Sequence, residues 1–125
     1  YVLGAPGENL HVFKAYQAAV GNHANTQRWT YTVPAGRIAI VEYMHGRVDS
    51  LAVASTAWVE VTYTPSGGAS YQVHYVENVV VGRTTLGIAP AITMDPGDLL
   101  EGYSTNTTGT TITMSMLAFI REITL

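Results

Sequence analysis

The chain has 125 residues with no cysteine, 12% charged residues, 47% apolar residues and a formal net charge of −3. That length suits one domain able to bury a core without covalent staples. The missing cysteine excludes disulfides, thiolate metal sites, iron–sulfur clusters and cysteine nucleophiles together.

Six Lys and Arg residues stand against nine Asp and Glu, and Lys14 is the single lysine, so no basic face is available for phosphate neutralisation and no nucleic-acid partner is expected. No apolar run approaches the roughly 18 residues of a membrane helix, and the start lacks the basic-then-apolar order of a signal peptide. A soluble protein with no membrane partner is expected. The charged fraction is about half the average of ~25% for globular domains. This predicts that much of the surface is covered in an oligomer or larger assembly.

Tyr1 to Gly7, with Gly4-Ala5-Pro6-Gly7, reads as an extended arm. Leu10 to Val20 admits two readings: a helix with Leu10, Phe13 and Ala18 as its stripe, or a strand in which His11, Phe13 and Ala15 alternate. From Arg28 to Val33, Trp29, Tyr31 and Val33 fall on one side and Arg28, Thr30 and Thr32 on the other, the period of a half-buried strand. Pro34-Ala35-Gly36 then turns the chain. Arg37 to His45 is a strand whose apolar centre, Ile38-Ala39-Ile40-Val41, suits burial on both faces, and Gly46 to Ser50 is expected to end it.

Thr56 to Thr64 sets Val59, Val61 and Tyr63 against Trp58, Glu60 and Thr62. After the turn signal Pro65-Ser66-Gly67-Gly68, Tyr71 to Val81 follows at hairpin distance and should pair with it antiparallel. Pro90 to Met94 is a short strand. Asp95-Pro96-Gly97-Asp98 is a tight turn feeding Leu99 to Ser104, and Thr105 to Thr110 is a polar loop. In Thr111 to Ile123, Ile112, Met114, Met116, Ala118 and Ile120 make one dry face, and the second half is apolar on both faces, as in a strand running through the middle of a sheet.

Thr (16) and Val (14) are abundant, and β-branched residues favour strands. The reading is therefore all-β: a single antiparallel β-sandwich or jelly roll over residues 29–125, with residues 1–28 as an N-terminal arm or peripheral segment.

No chemistry-bearing constellation emerges. His11, His23, His45 and His74 show no metal-ligand spacing, so no metal site is expected. No serine lies in a nucleophile elbow, and no catalytic set of nucleophile, base and orienting group converges. No cofactor is implied. Asp95 and Asp98 fit an Asx-type turn better than paired catalytic carboxylates or a calcium loop. Gly82 and Gly87, around Arg83-Thr84-Thr85, lack the context of a phosphate loop, and Asn106-Thr107-Thr108 matches a glycosylation acceptor pattern.

Trp29, Tyr31, Trp58, Tyr63, Tyr71 and Tyr75 are the notable rings. About half belong in the core by alternation, and the others suit interfaces better than sugars because few charged or amide residues accompany them in sequence. A sugar site would need two or three exposed rings beside amides or carboxylates.

Val33-Pro34-Ala35-Gly36-Arg37 leading into Ile38-Ala39-Ile40-Val41, followed by Asp95-Pro96-Gly97-Asp98-Leu99-Leu100, a polar loop and a long last strand, resembles small β-sandwich structural proteins of tailed bacteriophage virions. These include capsid decoration or cementing proteins and related tail or fibre modules. The resemblance spans about Tyr31 to Ile123. It implies a non-enzymatic virion component, commonly trimeric, that clamps major capsid or other virion subunits; the capsid surface is favoured as its location, and a tail location stays open. An arm such as Tyr1 to Arg28 would reach a neighbour. Candidate contact residues are Tyr1, Val2, Leu3, Phe13 and Tyr16 from that segment, with Trp29 and Trp58 from the sandwich. The alternative is a carbohydrate- or receptor-binding β-sandwich module of a tail fibre or secreted protein.

Overall fold

The structure is a computed structural model and describes residues 8–50 and 56–125. The predicted arm Tyr1 to Gly7, with Tyr1, Val2 and Leu3, lies outside the described residues. Those described form nine strands: β1 (Asn9–Val20), β2 (His23–Thr32), β3 (Arg37–Ser50), β4 (Ala57–Thr64), β5 (Tyr71–Glu77), β6 (Gly82–Ile88), β7 (Ile92–Met94), β8 (Leu99–Asn106) and β9 (Ile112–Thr124). They build two antiparallel sheets. Sheet A has the order β1-β9-β3-β6, with β7 also on β3, and sheet B has the order β2-β8-β4-β5. The all-β sandwich expected from the sequence is the fold.

The central place of β9 follows from its composition. Met114, Met116, Ala118 and Ile120 point into the core, while β1 and β3 flank the strand on either side. Ala39, Val41, Met44 and Val48 of β3 share that inner face, and Val59, Val61 and Leu100 meet them from sheet B.

One open reading is decided and two expectations are corrected. Leu10 to Val20 is a strand, paired without interruption to β9 from Asn9↔Ile123 to Val20↔Ile112. Its half-buried residues repeat with period 2, and the backbone gains a full ladder that an isolated helix of this length lacks. The sandwich accordingly begins at Asn9 and not at residue 29, since residues 9–28 supply β1 and most of β2. Gly46 does not end β3, which runs on to Ser50. Strand β6 gave no sequence signal, because as an edge strand with two glycines it is largely exposed on both faces. Tyr71 to Val81 does pair with β4 as expected, but the strand stops at Glu77.

The two turn motifs that carried the resemblance are bonded to each other. Val33 N–H donates to Asp98 O at 3.0 Å, and Gly97 N–H donates to Val33 O at 3.0 Å. The Asp98 carboxylate accepts from Ser66 N–H (2.8 Å), Asp95 N–H (2.9 Å) and the Tyr63 hydroxyl (2.9 Å), tying its own turn to the Pro65 turn and to the end of β4. Burial alone would raise its pKa, but these three bonds to the ionised form outweigh it and leave Asp98 below the usual carboxylate range.

Along the open edge, His74 of β5 donates from Nε2 to Leu86 O of β6 at 3.0 Å, linking the two sheets. Burial lowers its pKa, the Leu86 bond opposes this, and nearby His45 lowers it further. The unfolded chain therefore binds that proton more tightly than the folded chain. Stability from this group is complete above the unfolded pKa of about 6.5 and is lost as pH falls toward the folded value. Denaturant midpoints of the wild type are expected to drop between pH 7.5 and 5.5, and those of His74→Gln to drop less. Equal drops in both would place the acid sensitivity elsewhere.

Candidate functional site

The outer face of sheet A carries a row of rings across its strands. Phe13 of β1 lies opposite Phe119 of β9, which lies opposite Tyr43 of β3. The Phe13 and Phe119 rings stack with centroids 4.8 Å apart, and Tyr43 follows at 6.2 Å from Phe119. Tyr43 then extends over Gly87 of β6, where a Cβ would stand 2.1 Å from the Tyr43 hydroxyl oxygen. The absence of a side chain at Gly87 is what lets the row reach the fourth strand.

A register shift in β3 between Val41 and Tyr43 turns both Glu42 and Tyr43 outward, the re-aiming that a bulge produces. Glu42 thereby meets Arg121 at 3.3 Å. Phe13, Tyr43 and Phe119 are 55%, 37% and 46% exposed. Leu117, opposite both Ala15 and His45, continues the apolar surface.

Charge pairs rim this face. Arg121 also approaches Asn9, and Asp49 accepts from Arg47 at 2.5 Å and from Arg83 at 3.3 Å. The Arg47 hydrogen bond is the main reason that Asp49 sits below the usual carboxylate range. Such exposed pairs add little stability, but they make a polar border around an apolar centre, the layout of a protein interface.

The outer face of sheet B differs in chemistry. Trp58 of β4 and Tyr75 of β5 have ring centroids 6.2 Å apart, inclined at 35°. In the adjoining row Gln27, Tyr103, Glu60 and Tyr75 lie side by side on β2, β8, β4 and β5. Gln72 donates to Glu60 at 2.5 Å, Gln27 donates to Glu101, and the Tyr103 and Tyr75 hydroxyls donate to Glu101 (2.8 Å) and Glu77 (3.0 Å). Burial, reinforced by the Glu77 carboxylate, pushes the Tyr75 phenol up to about 12.

The sequence-predicted contact residues do not share one surface. Phe13 is in the aromatic row. Tyr16 is half-buried against the core with the Arg28 guanidinium 4.7 Å from its ring centroid. Trp29 is 8% exposed, its ring laid against Gly102, and so is core and not contact surface. Trp58 is on the outer face of sheet B.

Tyr43 and Phe119 were not singled out in the sequence. The signal for Phe119 was the apolar second half of the last strand, where its alternation partners already filled the dry face. Tyr43 carried none, because the bulge that exposes it is invisible in the residue pattern.

The remaining sequence candidates resolve into structure. Asp95 and Asp98 form the expected turn. Asn106 is fully buried, donating to Val20 O at 3.0 Å and Thr110 O at 2.9 Å, so in the fold its amide shapes the loop. His23 bonds Ser104 at 2.8 Å. Among the described residues no group of three His, Asp or Glu is placed to hold a metal ion. Val79 to Val81 form an exposed apolar tip after β5. Its base is fixed by Asn78, whose Oδ1 accepts from Thr56 N–H and Ala57 N–H, both at 3.0 Å.

This architecture is an antiparallel β-sandwich. A chain in the structure of infectious bursal disease virus Gx strain is similar over 95% of this chain, with a TM-score of 0.56 and 10% sequence identity. The present chain covers 33% of that one, about a third of its length. Weaker likenesses are to the infectious bursal disease virus VP2 subviral particle, with a TM-score of 0.44, 6% identity, and 98% of this chain and 39% of that chain covered. Another is to Bacillus endospore appendages, which form disulfide-linked pili, with a TM-score of 0.42, 13% identity, and 100% and 97% covered. No family model and no curated protein matches the chain. At these identities the likeness establishes the fold.

Proposed function

We propose that the chain is a non-enzymatic structural subunit of a virion, a capsid decoration or cementing protein that associates with copies of itself and with shell subunits. The observation that carries this reading is the exposed aromatic row Phe13–Phe119–Tyr43 on sheet A. A contiguous exposed apolar patch with a charged rim marks a protein contact, and rigid rings on paired strands make efficient anchors because little side-chain entropy is lost on binding. The bursal disease virus likeness supports a sandwich suited to particle assembly, and the sparse charge fits a surface covered in use.

Light scattering on the purified chain tests it. The wild type is expected to have the mass of a trimer independent of concentration, and Phe13→Ser combined with Phe119→Ser to run as a folded monomer. Gly87→Ala, which forces the Tyr43 ring off its seat without touching the core, is expected to weaken association about tenfold. A wild type that stays monomeric at every concentration, with no binding to a shell, would remove the proposal.

A further inference from the structure

We propose that the outer face of sheet B binds saccharides that carry no acidic group, with Trp58 and Tyr75 as stacking rings and Glu60, Glu77 and Glu101 as hydroxyl acceptors. Three observations support this. First, the fold gathers from four strands three half-buried rings whose edges line one outer face, Trp58 and Tyr75 on β4 and β5 and Tyr103 on β8, with carboxylates and the Gln27 and Gln72 amides between them. Pyranose rings offer C–H faces to aromatic side chains and hydroxyls to carboxylates and amides, so this mixture suits them.

Second, the acceptors are held in advance. Glu60, Glu77 and Glu101 each accept through Oε2, from Gln72, from the Tyr75 hydroxyl, and from Gln27 with the Tyr103 hydroxyl respectively. Among the described contacts Oε1 of each remains open to a ligand hydroxyl. Side chains already fixed by neighbours lose less entropy on binding. Among the described residues these carboxylates do not form a group placed to hold a metal ion.

Third, the charge selects the ligand. Strands β4, β5 and β8 contain no Lys or Arg, and Arg28 of β2 turns toward Tyr16 of sheet A. With three carboxylates and no cation, the face repels sialylated or sulfated sugars. Protein interfaces are depleted in Glu and Asp at their centres, which separates this face from the apolar row on sheet A.

The test is an array of immobilised neutral, amino-sugar, sialylated and sulfated oligosaccharides probed with the labelled full chain, with titration of the hits. Binding is expected only to the neutral and amino-sugar sets, and weakened about tenfold or more in Trp58→Ala and in Glu60→Gln. Glu60→Gln preserves shape, so it keeps the test valid if Trp58→Ala misfolds. The proposal fails if no sugar binds, if acidic sugars bind as well as neutral ones, or if binding survives both substitutions. Capture of a lysine-rich peptide without any sugar would show a generic acidic surface and also overturn it. None of these results bears on association through sheet A, which light scattering reads separately.

Discussion

Glu122→Ala is expected to destabilise the sandwich by about 3–5 kcal/mol, the range for removing one partner of a buried ion pair. Glu122 is 4% exposed, accepts from Arg37 Nη1 at 2.7 Å and accepts from the Tyr31 hydroxyl at 2.5 Å. Arg37 begins β3 and Glu122 is near the end of β9, both in sheet A, while Tyr31 comes from β2 of sheet B. The cluster therefore clamps the two sheets at the end where the Pro34-Ala35-Gly36 turn joins them. Alanine would remove the carboxylate that the buried guanidinium and the phenol share, a desolvation cost that no water relieves cheaply.

Burial, then the bond to Glu122, already holds the Tyr31 phenol far above its ordinary range, so the hydroxyl acts purely as a donor. Equilibrium unfolding in urea would measure the loss. A triple replacement, Tyr31→Phe, Arg37→Met and Glu122→Leu, is expected to recover most of it, because a well-packed apolar substitute often equals a buried ion pair. A loss below about 1 kcal/mol in Glu122→Ala would mean that the cluster is hydrated and that the sheets are held by apolar packing alone.

The parts of this fold that were legible in the sequence are those where side-chain period and turn chemistry agree. Trp29, Tyr31 and Val33 alternate inward as read, and the Asp95-Pro96-Gly97-Asp98 turn forms with Gly97 at φ 89°. Elements governed by partners distant in sequence were not legible. Strand β1 was ambiguous because its small residues fit either period, and only the ladder to β9 decides it. The aromatic row depends on register across three strands and on the bulge after Val41, neither of which a single strand reveals. The face of sheet B is a further case: Glu60, Gln72 and Glu77 already stand within three residues of Trp58 or Tyr75 in sequence, but only pairing adds Gln27, Glu101 and Tyr103 from β2 and β8.

Gly46 shows the same limit in a form that can be measured. Read locally, a glycine followed by polar residues ends a strand, and replacing an interior strand glycine by alanine should gain roughly 0.5–1 kcal/mol from lower backbone entropy. Read in the fold, Gly46 faces Val59 and Val76 of sheet B. A Cβ there would lie 2.7 Å from Val76 Cγ2 and 2.9 Å from Val59 Cγ2. Both valines are buried on β4 and β5, so neither can swing into solvent. The overpacking cost of about 1–3 kcal/mol exceeds the entropic gain, and Gly46→Ala is expected to lower the unfolding midpoint. Val76→Ala removes the nearer of the two contacts and gives Val59 room to shift, so the double variant should be more stable than the sum of the two single losses by about 0.5–2 kcal/mol. Strict additivity in that cycle would mean that the sheets separate to admit the methyl group, and that Gly46 reflects strand geometry and not the fit between sheets.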